Sequence, residues 1–206
     1  MKHASTKGLY AYWNRQRGLR PAPERGDIDP VEIRHALGDT FMLAADFVDQ
    51  LRFRLAGTRV CALFGREIKG ELFPALWNEP GRAQIEDLLT VVTNESIGAV
   101  AGLTGHTEDG AEVDLEMLLL PLAHTGHARI RALGILVPLA PPYWLGEKPV
   151  TELSLSALRH LGPDLETVDA PRFAPTAEGG RLRHGFTVYS GGRQAESQKE
   201  SQEKIG

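Results

Sequence analysis

Seven histidines and one cysteine are the side chains of this 206-residue chain most suited to metal binding or nucleophilic chemistry. A zinc site needs several such ligands at short, recognisable spacings, such as HExxH on a helix or a Cys-His cluster. No such spacing occurs, and the closest pair, His124 and His127, stands in a predicted turn. The sequence therefore predicts no metal site.

Cys61 is flanked by Val60, Ala62 and Leu63. An apolar setting raises the pKa of a thiol, so we expect Cys61 to pack rather than to act as a nucleophile or as a flavin-reactive thiol. A lone cysteine also excludes an internal disulfide and a CxxC redox pair, which fits a reducing cytoplasm.

The glycine spacing argues against a nucleotide-hydrolysing enzyme, and the net charge argues against a nucleic-acid-binding protein. Gly98, Gly102 and Gly105 are spaced too widely for GxGxxG, and no GxxxxGK[ST] loop occurs to cradle phosphates. A formal net charge of -4 gives no basic footprint for nucleic acid. We assign no catalytic residues and expect that the chain is not an enzyme.

Arg54 and Glu116 each interrupt an apolar predicted strand. Their residue types allow a half-buried ion pair, or an arginine fork directed at an anionic ligand. The alternative is that both, like Arg66 and Glu67, only stabilise loops and strand edges.

Residues 1–38 predict an N-terminal helical extension. Leu9, Tyr12 and Trp13 recur at helical spacing and form an apolar face that must pack on something, so they are our candidate interface. Prolines end this helix, and a second short helix is predicted from an Asp29 cap to Leu37.

Residues 39–145 predict an α+β domain. A hairpin over 41–55 precedes helices over 59–64 and 80–94. Three antiparallel strands are then predicted over 99–107, 112–122 and 128–139. This order favours a five-stranded antiparallel sheet with helices covering one face.

Several short runs stand out along these segments and beyond them. They are Tyr12-Trp13 with Arg17-Gly18, Asp27-Ile28-Asp29-Pro30, Arg54-Leu55-Ala56-Gly57-Thr58, Leu63-Phe64-Gly65-Arg66-Glu67 with Gly70, Leu76-Trp77, Glu116-Met117-Leu118-Leu119-Leu120-Pro121-Leu122 and Trp144-Leu145-Gly146. Together with the order of elements, these runs resemble the PAS domain family, and in particular short stand-alone bacterial PAS proteins. The resemblance spans roughly residues 9–162. It implies a sensory fold whose helices and sheet enclose a pocket, acting through ligand occupancy, dimerisation or docking.

The candidate ligand pocket combines Arg54 and Glu116 with large apolar side chains. The same apolar positions would also make an ordinary filled core, and the sequence does not separate the two. The cofactor is unknown; His35 and His106 are the histidines to inspect as haem ligands, although each is more simply a surface or hydrogen-bonded histidine. The apolar candidates are Phe53, Leu63, Phe64, Leu76, Trp77, Leu88, Leu103, Met117 and Leu119.

The carboxyl-terminal part divides in two. We predict a C-terminal helix region over residues 146–168 and a largely flexible tail over 169–206, because the tail is polar and glycine-rich. A strand-like run over 185–193 is the exception and could pair with a sheet edge or a partner strand.

The leading functional hypothesis is a non-catalytic bacterial signalling adaptor that acts through protein–protein contacts. The alternative is a sensor that binds a small molecule in the pocket. We expect a cytoplasmic location and a signalling protein as partner, with a homodimer or a small-molecule ligand as further options. We expect no nucleic-acid binding. We also expect no membrane insertion, since no long apolar run occurs.

Overall fold

The computed structural model describes residues 1–45, 50–123, 130–162, 181–183 and 186–188. The chain divides between residues 173 and 174 into two compact units. The second unit contains two short paired strands, β7 (Arg181–Arg183) and β8 (Phe186–Val188). The strand-like run predicted over 185–193 thus pairs with a neighbouring segment of its own chain. The remainder of that run and of the predicted tail lies outside the described residues.

The first unit is built on a six-stranded antiparallel sheet with the strand order β2-β1-β5-β4-β3-β6. The two predicted hairpins are confirmed in their described parts, and Gly110 adopts the positive φ of 82° that the β3–β4 turn requires. Residues 46–48 of the predicted first strand and the turn at 124–127 lie outside the described residues. The strands are β1 (Thr40–Ala45), β2 (Leu51–Ala56), β3 (Gly98–Thr107), β4 (Glu112–Pro121), β5 (Ile130–Pro138) and β6 (Val150–Leu161).

The sixth strand corrects the predicted C-terminal helix region over 146–168. β6 pairs with β3 along ten register positions, and the backbone N–H of Asn78 donates to the carbonyl oxygen of Leu153 at 3.0 Å. Leu153 and Leu155 alternate with Ser154 and Ser156, which is the period of a strand rather than of a helix. The strand covers an edge of β3 that a helix would have left unpaired.

The described residues form three α-helices beside the sheet: α1 (Ala4–Arg17), α2 (Thr58–Leu63) and α3 (Glu79–Asn94). All three were predicted, and α3 begins at Asn78, whose side chain accepts a hydrogen bond from the Gly81 N–H at 2.9 Å. The short helix predicted from Asp29 to Leu37 is wrong. Its residues form turns that lead into a 3-10 turn, Leu37–Asp39. The Asp29 carboxylate accepts a hydrogen bond from the Val31 N–H, not from the third helical residue as in a helix cap.

Helices cover both faces of the sheet, not one face as predicted. Leu118 and Leu120 of β4 pack in one apolar cluster with α1, whereas α3 and a 3-10 turn, Phe73–Leu76, lie against the opposite face. Successive side chains of a strand point to opposite faces, so β4 contributes to two separate apolar layers. The α1 layer will be called the back layer, and the α3 layer the front layer.

Candidate functional site

The nine apolar residues predicted to line a pocket are all buried, with at most 5% of any of them exposed. The ring centroids of Phe41 and Phe73 lie 5.7 Å apart, and those of Phe73 and Trp77 lie 5.9 Å apart. Phe53 joins both Phe41 and Phe73 at 5.5 Å. These rings fill the space between sheet and helices, so the predicted pocket positions form the packed core of the front layer.

Arg54 and Glu116 do not form the ion pair that their residue types allow. Arg54 is exposed on β2, whereas Glu116 is only 5% exposed on β4, and two strands, β1 and β5, lie between β2 and β4. The Glu116 carboxylate accepts hydrogen bonds from the backbone N–H groups of Lys2 at 2.6 Å and His3 at 3.0 Å. It therefore fixes the start of α1 on the back layer, on the face opposite to that of its neighbour Met117.

The Arg66–Glu67 region stabilises a loop, in agreement with the simpler of the two interpretations. Arg66 forms two hydrogen bonds with Glu71, at 3.0 and 2.9 Å. Burial, together with the nearby Glu67 carboxylate, raises the pKa of the Cys61 thiol. A thiol held protonated in this way is a poor nucleophile, as the sequence indicated.

The two histidines considered as haem ligands have other surroundings. His106 lies on β3, where Nε2 is 2.8 Å from the Ser154 hydroxyl and Nδ1 is 3.3 Å from Glu112. His35 is exposed in the turns before β1. Within the described ranges, no group of three or more His, Cys, Asp or Glu side chains is arranged to hold a metal ion.

The predicted interface, Leu9, Tyr12 and Trp13, is an internal packing face. These residues are 1%, 5% and 5% exposed, and the Trp13 indole N–H donates to the carbonyl oxygen of Pro121 at 2.8 Å. Tyr12 is also held, because its hydroxyl accepts from the Asp29 N–H at 2.7 Å. This face of α1 packs against the sheet of the same chain. It is therefore not an available docking surface.

An open cleft of about 840 Å³ lies elsewhere in the front layer, between α3, the 3-10 turn and one end of the sheet. Buried Ala45, Leu51 and Leu89 contribute apolar surface to it. None of the predicted pocket residues lines it. The other lining residues among those described are Gln50, Leu72, Pro74, Ala75, Arg82, Glu86, Thr90, Thr93, Asn94 and Arg131.

One face of α3 supplies most of the polar lining of the cleft. Arg82, Glu86, Thr90 and Thr93 recur at helical spacing, so they follow one another along the helix surface. Arg131 enters from the start of β5. The polar stripe on α3 was visible in the sequence, but the presence of Arg131 in the same cleft depends on the strand order.

The structure carries no helix long and apolar enough to cross a membrane among the residues it describes. With fold and cleft defined, the chain can be compared with known proteins. The model of the PAS domain family matches residues 1–137, which is more than half of the 206 residues. This chain belongs to the PAS domain family. The match confirms the predicted α+β class and the general signalling and sensory character of the fold.

Solved PAS and LOV structures are similar to this chain at low sequence identity. The LOV domain of the blue-light photoreceptor Aureochrome1 is 13% identical with a TM-score of 0.42, covering 54% of this chain and 82% of that one. The LOV protein of Rhodobacter sphaeroides is 15% identical with a TM-score of 0.41, covering 56% and 71%. A PAS domain from Colwellia psychrerythraea is 16% identical with a TM-score of 0.39, covering 54% and 98%. No curated protein matches this chain.

Proposed function

We propose that this PAS protein is a non-catalytic signalling module that senses a small molecule bound in the cleft of the front layer. The observation that carries the proposal is the cleft itself. Its volume of about 840 Å³ falls within the range of small-molecule sites, and its described lining combines six apolar residues with seven polar or charged ones. The apolar residues first expected to bind a ligand are instead buried in the core of the front layer, and none of them lines this cleft.

The adaptor hypothesis receives less support. Its motivating feature was the apolar face of α1, and that face is buried on the back layer. Contact with a signalling partner remains part of the proposal as the route by which ligand binding is reported. A homodimer and a cytoplasmic location also remain predictions.

A ligand in the cleft could act mechanically because the cleft is lined by residues from separate elements of the fold. Its walls come from α3, from the 3-10 turn, and from residues of β1, β2 and β5. Occupancy would therefore bridge the helical layer and the sheet, and would favour one spacing between them over others. Since α3 also packs against β6, a change in α3 would reach the far edge of the sheet.

The test is native mass spectrometry of the purified protein at low and high concentration, together with one cleft-blocking variant. Ala75→Trp places a large side chain in the cleft, and Ala83→Trp places the same side chain on an exposed position of α3 outside it. We expect a reproducible bound mass on the wild type and on Ala83→Trp that is lost from Ala75→Trp. Two negative results together would contradict the proposal: no bound mass on the wild type, and no binding by any small molecule of a fragment screen. The adaptor hypothesis would then be the better supported one.

A further inference from the structure

The first 23 residues carry a charge opposite in sign to that of the rest of the chain. They contain five lysines and arginines and no aspartate or glutamate, so their formal net charge is +5. The whole chain has a net charge of -4, so the other 183 residues together carry -9. This segment is therefore attracted to an anionic surface that repels the remainder of the molecule. The five cations are Lys2, Lys7, Arg15, Arg17 and Arg20.

The solvent-facing side of α1 is cationic. The opposite side of the helix is buried on the back layer, so the exposed Lys7 and Arg15 lie on the side away from the sheet. Lys7 forms no ion pair within the described ranges. The Arg17 guanidinium donates to two neutral oxygens, those of the Asn14 side chain at 2.7 Å and the Arg20 backbone at 3.2 Å. The charges of Lys7 and Arg17 are therefore available to an anionic partner.

Arg15 and Arg20 are partly balanced by acidic side chains. Arg15 pairs with Glu32, and Arg20 pairs with Asp27 at 2.8 Å. These four side chains are between 34% and 61% exposed. Ion pairs this exposed are weak and are screened by salt, so both arginines can exchange their carboxylate for another anion.

Leu19 stands at the end of this cationic face and, at 105%, is the most exposed large apolar side chain described. Its turn is fixed by hydrogen bonds. The Arg20 backbone N–H donates to the Arg17 carbonyl oxygen at 3.0 Å, and Arg20 Nη2 donates to the Gln16 carbonyl oxygen at 2.7 Å. The chain is anchored again at Ala22, which is 3% exposed. Leu19 is therefore a convex apolar tip held between two anchored segments.

A single convex tip among cations suits a soft, flat surface better than a shaped protein pocket. A stable protein interface buries about 1,000 Å² or more, which one leucine does not supply. A lipid bilayer accepts one apolar side chain into its interface and attracts nearby cations to its anionic headgroups.

We infer that the outer face of α1, ending at Leu19, docks on the surface of a membrane rich in anionic phospholipid. Leu19 enters the interface, and the cations of α1 and of its turn lie at the phosphate groups. The protein stays at the surface and does not span the bilayer. This docking goes beyond the proposed function and does not depend on the cleft.

The experiment is co-sedimentation of the full chain with two kinds of vesicle. One kind is phosphatidylcholine alone, and the other contains about 30 mol % phosphatidylglycerol, which supplies the negative charge. We expect the chain to bind the anionic vesicles at least about tenfold more tightly than the neutral ones. This preference should be lost when the salt is raised from about 0.05 M to about 0.5 M, because salt screens exposed charges.

Variants test the tip and the cations separately. Leu19→Ala removes the apolar tip without touching the core, and it should weaken binding to anionic vesicles about fivefold. Lys7→Gln and Arg17→Gln each remove one charge, and each should also weaken binding about fivefold. Arg54→Gln and Tyr143→Ala are the matched controls, because they remove an exposed arginine and an exposed apolar side chain elsewhere on the protein. Circular dichroism of each variant establishes that it is folded.

Three results would overturn the inference. Equal binding to the two kinds of vesicle, or binding to neither, would remove the anionic membrane as the partner. Binding that is unchanged in Leu19→Ala, or in both charge variants, would place the contact on another surface. Capture of a purified acidic protein that Leu19→Ala abolishes, without vesicle binding, would assign this face to a protein partner. Ala75→Trp, which fills the cleft, should bind vesicles as the wild type does, so the two proposals are tested separately.

Discussion

Replacing Trp13 with alanine distinguishes an internal role for the α1 face from an intermolecular one. The Trp13 side chain is 5% exposed, its indole N–H donates to Pro121, and Arg17 lies 5.4 Å from the ring centroid. If the face is internal, the substitution removes packing and a hydrogen bond from the folded monomer. If the face served self-association, it would change molar mass instead.

The expected magnitude follows from these contacts. Truncating a buried tryptophan to alanine costs about 3–5 kcal/mol in unfolding free energy. The lost hydrogen bond accounts for roughly 1 kcal/mol of this, because the Pro121 carbonyl oxygen is left without its donor. Trp13→Phe keeps most of the ring surface but not the N–H, so it should cost about 1–2 kcal/mol.

The assay is urea unfolding followed by far-ultraviolet circular dichroism, with molar mass measured by light scattering on the same samples. Tyr143→Ala serves as the control, because Tyr143 is 92% exposed and its loss should change the unfolding free energy by no more than about 0.5 kcal/mol. A Trp13→Ala variant that loses less than about 1 kcal/mol but changes molar mass would refute the assignment of this face to the core.

Three further predictions concern single sites. Gly134→Ala should lower the unfolding free energy by about 1–3 kcal/mol or more in urea titrations, because a Cβ at this position would overlap the buried Phe41 ring. Gly102→Ala is the control: a Cβ there makes only ordinary contacts, so the unfolding free energy should hardly change. Burial lowers the pKa of His160 below its ordinary 6.5, so protonation of this side chain opposes folding. The unfolding free energy should therefore keep the full contribution of neutral His160 above pH 6.5 and decrease as the pH drops below 6.5. His160→Gln should make that decrease smaller. Cys61, whose pKa is raised mainly by burial, should react with iodoacetamide at neutral pH more slowly than a free thiol, as followed by mass; an equal or faster rate would contradict this environment.

The elements with strong local signals were predictable from the sequence. Helix α3 has apolar residues at helical spacing and a proline in its first turn, and the β3–β4 hairpin has alternating residues around an Asp-Gly step. In both, local conformation and burial favour the same structure. The family resemblance then supplied their arrangement, which the family match confirms.

Strand β6 was missed although its residues carried a signal. The alternation of Leu153 and Leu155 with serines indicates a strand, but an isolated strand has no stability until it pairs. Its partner, β3, lies more than 40 residues earlier in the chain. Recognising the free edge of β3 required the strand order, which is a property of the fold rather than of either segment.

The candidate site was misplaced for a related reason. Glu116 and Met117 are adjacent in a strand, so they face opposite layers and could not have lined one pocket; the period of two was sufficient to exclude that combination. The cleft could not be found in this way. Its lining comes from segments as far apart as Ala45 and Arg131, and only tertiary structure brings those segments together.

The most direct test of the account is where small molecules bind, measured by methyl NMR with a fragment set of organic acids, amines and neutral compounds. Leu89 lines the cleft, whereas its neighbour Leu88 is fully buried and does not line it. We predict that bound fragments shift the Leu89 methyl signals and leave those of Leu88 and Leu103 in place. Fragments that shift Leu88 and Leu103 instead would place the site in the core, and a complete absence of shifts at Leu89 would contradict the sensory cleft.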